Sequence, residues 1–181
     1  MKGATALSDR AVGLLAVASA VAVANAYYIQ PLLVEVGGAL SISSGLVGIL
    51  PGLSQVGLAC GLAFLLPLGD IISARRLLLT VIPVQIAALV LFATSGSVLT
   101  VAAASLLVGL FGIAPYVLPP YVSLRVPASR VGQVTGMLTR DIIIGILLAR
   151  TASGIIGTHF GWRAVYWIAA GMMAIVLLCH K

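Results

Sequence analysis

Residues 77–124 read LLLTVIPVQIAALVLFATSGSVLTVAAASLLVGLFGIAPYVLPPYVSL, with no charged side chain anywhere in the run. Inside it, Ile86-Ala87-Ala88-Leu89-Val90-Leu91-Phe92 does not alternate apolar and polar residues, as a membrane-barrel strand would. The segment is apolar on all sides, the pattern of a helix embedded in lipid. A span needs about 20 apolar residues, so the run holds two, hinged at Ser95-Gly96-Ser97.

Working outward, charges are also absent from 11–34 and 36–69. After Arg140-Asp141, a run from Ile142 to Trp162 is broken only by Arg150, and a last run extends from Ala164 to Cys179. The fold expected is all-α: a polytopic membrane protein with six transmembrane helices in a single domain, 1–181. The spans fall at about 11–30, 44–69, 76–94, 98–122, 133–158 and 162–179.

Composition agrees. The chain has 181 residues, of which 61% are hydrophobic and 8% charged. A soluble domain carries about 25% charge, so too little polar surface exists to clothe one here. Two cysteines, Cys60 and Cys179, both inside spans, make neither a disulfide framework nor a metal site. No cofactor or metal is expected.

The formal charge of +6 is distributed by side. With the N-terminus inside, Lys2, Arg10, Arg75, Arg76, Arg125, Arg130 and Lys181 fall on inner segments, and Arg140 lies near the same surface. The outer side holds Arg163. This positive-inside bias predicts cytoplasmic N- and C-termini, with the lipid bilayer as partner. No basic patch is interleaved with aromatics, which argues against nucleic acid. Lys2 and Arg10 before a run ending Ala24-Asn25-Ala26 imitate a signal peptide. The length and polar end of that run favour a retained first span.

Four features carry candidate chemistry. The first is Asn25-Ala26-Tyr27-Tyr28-Ile29-Gln30-Pro31-Leu32-Leu33, closing span one. Tyrosines anchor helices at interfaces, but the amides of Asn25 and Gln30 are costly in hydrocarbon without a partner. Asn25 and Tyr28, three apart, share a helix face. The second is the loop Leu66-Pro67-Leu68-Gly69-Asp70-Ile71-Ile72-Ser73-Ala74-Arg75-Arg76. Asp70, Arg75 and Arg76 make either a solvated ion pair or a latch between moving parts. The third is span five, where Gly136, Gly145, Ala149, Ser153, Gly154 and Gly157 offer small residues for close helix packing. Arg150 follows Asp141 by nine residues, roughly 13 Å along a helix, near the bilayer middle. A cation there is costly and faces water or a partner. The fourth is span four, with Pro115, Tyr116, Pro119, Pro120 and Tyr121, whose prolines bend the helix or end it.

These motifs together resemble the N-terminal six-span half of a major facilitator superfamily transporter, in the bacterial drug-efflux-like branch. The end of span one, Pro67-Leu68-Gly69-Asp70 with Arg75-Arg76, and Gly145 through Gly154 followed by Gly161-Trp162-Arg163-Ala164-Val165-Tyr166-Trp167 carry the likeness, which covers nearly the whole chain. It implies two inverted three-helix repeats, half of the full fold. Departures are Leu66, Ile71 and Ser73 in the loop motif, Arg150 where many antiporters have Pro, and Ser105 where span four usually carries an Arg linked to proton coupling.

What the resemblance implies is a secondary transporter, exporting a small organic solute with the proton as coupling ion by alternating access. Its partner would be a second six-span half or another copy of itself. Asn25, Tyr27, Tyr28, Gln30, Tyr116 and Arg150 would line the solute path, with Arg150 holding an anionic group or gating charge. Asp70, Arg75 and Arg76 would latch the inner face. A competing reading is a non-transporting fragment that only packs in the membrane, as a homodimer. An intramembrane serine protease is a poor match: Thr151-Ala152 precede Ser153-Gly154, and His159 lies roughly 240° round the helix from Ser153. The chain is expected not to be an enzyme.

Overall fold

A computed structural model of the chain describes residues 9–123 and 126–179. Among them every regular element is helical. In chain order these are α1 (Asp9–Ala24), α2 (Ile29–Ala39), α3 (Ser44–Val47), α4 (Ile49–Cys60), a π-helical turn at Gly61–Leu65, α5 (Leu68–Ile71), α6 (Ala74–Thr94), α7 (Val98–Leu110), α8 (Ala114–Ser123), a 3₁₀ turn at Ala128–Arg130, α9 (Val131–Phe160) and α10 (Trp162–Cys179).

Five helical segments are long and apolar enough to cross a membrane: Ala16–Ala39, Gly45–Ile71, Ala74–Thr94, Val98–Leu118 and Ala128–Phe160. The last expected span corresponds to a shorter apolar helix, Trp162–Leu178. The first span differs from its expected limits of 11–30. Helix resumes at Ile29 and continues to Ala39, because Leu32 and Val36 are fully buried and hold it against the bundle. Glu35 therefore lies within this span rather than beyond it. Lys2, Arg125 and Lys181 lie outside the described residues.

Two of the helix breaks fall just before a proline, whereas α6 runs unbroken through Pro83. Pro31 has no N–H to offer the Tyr27 carbonyl, which accepts the Gln30 N–H instead at 3.3 Å. Around it, Asn25–Tyr28 is a turn joining α1 to α2. Pro115 deprives the Phe111 carbonyl in the same way, and the Gly112 N–H turns back to the Gly109 carbonyl at 2.9 Å. That turn, Phe111–Ile113, separates α7 from α8. At the α6–α7 connection, Ser97 Oγ accepts from the Thr100 N–H (3.3 Å) while Thr100 Oγ1 accepts from the Ser97 N–H (3.2 Å), a capping box that starts α7. Gly161, at φ +81°, ends α9 and turns the chain directly into α10.

Three pairings organise the core: α4 on α7, α6 on α10, and α1 with α2 on α9. The first is backbone against backbone. A Cβ on Gly57 would collide with the Leu106 carbonyl, and one on Gly109 with the Ser54 carbonyl. Ser54 Oγ donates to the Ser105 carbonyl across the crossing at 3.1 Å, and Ser105 Oγ donates to the Val101 carbonyl at 2.9 Å. Ser105 is completely buried there, so the position has no room for an arginine. The α1–α9 pairing repeats the device: a Cβ on Gly145 would stand 2.9 Å from Ala20 Cβ. The α6–α10 pairing is aromatic. Phe92 stacks on Tyr166 with centroids 3.8 Å apart, and Trp162 meets Phe92 edge-on at 6.1 Å. Arg163 lies 4.2 Å above the Trp162 ring and donates to the Ser95 carbonyl at 2.9 Å, tying the start of α10 to the end of α6.

Candidate functional site

The α1–α2 break, the α7–α8 break and the middle of α9 bring four of the expected residues together. Arg150 is exposed on α9 and its Nη2 donates to Gln30 Oε1. The guanidinium carbon is 5.7 Å from the centroid of the Tyr27 ring. Tyr116, on α8, is exposed, and α8 packs against both α1 and α9. Gln30 and Tyr27 are half-buried. The result is a polar stretch of the bundle wall, called the cleft below: one guanidinium, one carboxamide and two phenols. Arg150 precedes the Gly161 turn by eleven residues, about 16 Å of helix at 1.5 Å per residue. That is about half of a 30 Å hydrocarbon core.

Arg150 reaches the break because of the seam beneath it. Gly145, Ala149, Ser153 and Gly157 recur every four residues and face α1–α2. A Cβ on Gly154 would stand 3.6 Å from Pro31 Cβ, an ordinary contact, whereas one on Gly157 would collide with Leu32. Arg150 borders this seam, with the break directly opposite. Ser153 Oγ is satisfied by the Arg150 carbonyl at 3.2 Å.

Two path candidates do not join the cleft. Asn25 is 3% exposed and faces the bundle interior, with both side-chain amide atoms lacking a hydrogen-bond partner among the described residues. Tyr28 is buried and lines a separate apolar cavity of about 490 Å³ between α1, α9 and α10. Asn25 and Tyr28, three apart, are both buried, while Tyr27 and Gln30, also three apart and on the opposite side of the helical wheel, are half-buried. Gly136 also departs from its expected packing role: it is exposed and a Cβ there would meet nothing within 4 Å.

Asp70 and Arg75 line a cavity of about 740 Å³ that also reaches Tyr116, Val117 and Pro120. It connects the α5–α6 loop to the cleft through Tyr116. Arg76 is exposed, and its N–H is capped by Ser73 Oγ at 3.4 Å. Among the described residues no group of His, Cys, Asp and Glu could hold a metal ion.

Two polar groups stand out that the sequence alone did not single out. Gln85 on α6 is 0% exposed, with neither amide atom bonded among the described residues. Its Nε2 sits 3.6 Å from where a Cβ on Gly112 would be, beside the α7–α8 break. Glu35 has one carboxylate oxygen buried without a partner among the described residues, against Gly157. A lone amide or carboxylate in an apolar span is itself the signal for both.

Residues 15–180 match the Major Facilitator Superfamily. The putative uncharacterized transporter YgaY of Escherichia coli K12 is 34% identical over 172 residues, covering 95% of this chain and 44% of the relative. The probable transporter SCO4007 of Streptomyces coelicolor is 34% identical over 163 residues, covering 90% of this chain and 38% of the relative. The chain thus spans less than half the length of either relative. With a match over nearly its whole length and a helical bundle whose spans suit a bilayer, the chain belongs to the Major Facilitator Superfamily, a family of membrane transporters.

Proposed function

We propose that the chain is the N-terminal six-span half of a secondary transporter in the drug-efflux-like branch, exporting a small organic solute by alternating access. The proton is the coupling ion, the membrane is the cell inner membrane, and both termini are cytoplasmic. The single observation that carries the reading is the convergence of Tyr27, Gln30, Tyr116 and Arg150 beside two broken helices. Polar side chains and unwound backbone at mid-membrane depth are tolerated where they line a cavity.

The order of packing supports two inverted three-helix repeats. Exchanging the first span with the fourth, the second with the fifth and the third with the sixth turns the α4–α7 pairing into the α1–α9 pairing, and returns α6–α10 to itself. The first and fourth spans are also the two that break. The more exposed side of the bundle awaits a second six-span half or another copy of the chain. Asp70, Arg75 and Arg76 act as the inner latch, and Arg150 with Gln30 and the two tyrosines contacts the solute.

Flux in proteoliposomes tests this, with the chain reconstituted alone and with a complementary six-span half. Proton-driven solute movement that falls at least tenfold in Arg150→Ala is the expected result. Equal flux in the two proteins removes Arg150 from the mechanism. Absence of flux in both preparations refutes the exporter reading.

A further inference from the structure

We propose that the cleft takes a monoanionic organic carboxylate, its two oxygens on the guanidinium of Arg150 and its carbon skeleton against Tyr27 and Tyr116. This deepens the exporter reading and rests on the cleft being the solute path.

Charge comes first. Arg150 is a permanent cation near the middle of the hydrocarbon core, and its partners are an amide oxygen, Gln30 Oε1, and the face of an aromatic ring, Tyr27. Neither neutralises it. The chain has four acidic residues, and among the described residues none is bonded to Arg150. Asp141 is held by Arg140 at 2.8 Å. Asp70 lines the neighbouring cavity together with Arg75. Asp9 opens α1, at the opposite end from the break. Glu35 packs on Gly157, seven residues from Arg150, about 10 Å along α9.

Geometry adds to this. The guanidinium carries five N–H donors in a planar fork, and Gln30 occupies one of them. The remaining N–H groups can meet the two oxygens of a carboxylate as a bidentate pair. One cation sets the charge of the solute. A monoanion leaves the cleft neutral, whereas a dianion leaves an excess negative charge in a low-dielectric site. An organic cation places like charges side by side. At about 5 Å and an effective dielectric of about 20, that repulsion changes affinity by about two orders of magnitude. Tyr27 and Tyr116 offer ring faces and hydroxyls to the remainder of the solute.

The test uses the full chain in lipid nanodiscs and three aromatic probes of similar size: benzoate, benzamide and benzylamine. Competition against radiolabelled benzoate gives relative affinities. Benzoate is expected to bind about 100-fold tighter than benzylamine, with benzamide between them. Arg150→Gln is expected to lose at least 30-fold in benzoate affinity. Arg150→Lys, which keeps the charge and loses the fork, is expected to lose about tenfold. Elution profile and melting temperature check that the variants fold; if Arg150→Gln does not, the probe ratios in the parent chain decide. Equal binding of benzoate and benzylamine, undiminished benzoate binding in Arg150→Gln, or no binding of any probe overturns the proposal. Because no gradient or flux is involved, the two readings fail separately. A chain that binds benzoate but moves nothing sinks the exporter reading alone, and one that exports organic cations sinks this one alone.

Discussion

Replacing Gly57 by alanine adds one methyl group where α4 crosses α7. An added Cβ meets three backbone atoms: it collides with the Leu106 carbonyl oxygen, stands 2.9 Å from the Leu110 nitrogen and 3.1 Å from the Leu106 carbonyl carbon. Backbone cannot swing aside as a side chain can, so the helices must separate by about 1 Å to restore ordinary contact. Overpacking of this kind costs about 1–3 kcal/mol. The separation also stretches the 3.1 Å bond from Ser54 Oγ to the Ser105 carbonyl, worth about another 1 kcal/mol. The sum, about 2–4 kcal/mol, corresponds to a loss of about 4–16 °C in melting temperature for a chain of this size. Gly52→Ala is the control: it lies on the same helix, and nothing stands within 4 Å of its Cβ position. Alanine there gains about 0.8–1 kcal/mol of helix propensity. Melting both variants in the same detergent compares one methyl group in two settings. If Gly57→Ala melts with Gly52→Ala, the crossing is not as close as described and the packing argument fails.

Gly145→Leu places a large side chain against Ala20, and the α1–α9 seam should open, lowering the melting temperature by more than Gly136→Leu, which enters open space. Gln85→Leu removes an amide that is buried without a partner among the described residues, so thermal stability should rise by about 1–3 kcal/mol; a fall would mean that Gln85 has a partner. Ser97→Ala deletes the acceptor of the capping box and should cost about 1 kcal/mol, read by the same melting assay. Asp141→Asn breaks a pair whose Arg140 partner is 63% exposed, and stability should change by less than about 1 kcal/mol.

Much of the architecture was legible because a bilayer asks so little of a sequence. Long charge-free runs suffice to mark helices, and the Ser95-Gly96-Ser97 hinge marks where one gives way to the next. Pro31 and Pro115 sit beside the two breaks, and proline is the one residue that cannot satisfy a helical carbonyl. Counting three residues pairs Asn25 with Tyr28 and Tyr27 with Gln30, but only the packing partners decide that the first pair turns inward and the second toward Arg150. The limit of span one shifted for a related reason: Glu35 marks a boundary by charge, yet Leu32 and Val36 carry the helix past it. In α9 the glycines allowed several spacings. Only the partner decides among them, and α1–α2 chose the four-residue ridge through Gly145 and Gly157, leaving Gly136 bare. Gln85 shows the same dependence, since its setting is made by a turn in another helix.

The glycine crossings and the cleft divide the molecule into positions that resist substitution and positions that do not. Gly57, Gly109 and Gly145 admit no larger residue without moving a neighbour. Arg150 and Tyr116 are exposed, so changing them disturbs little beyond their own contacts. Mutation is therefore free to explore new chemistries on the wall of the cleft while the scaffold beneath holds still. A bundle built this way can diversify in what it handles long before its frame drifts.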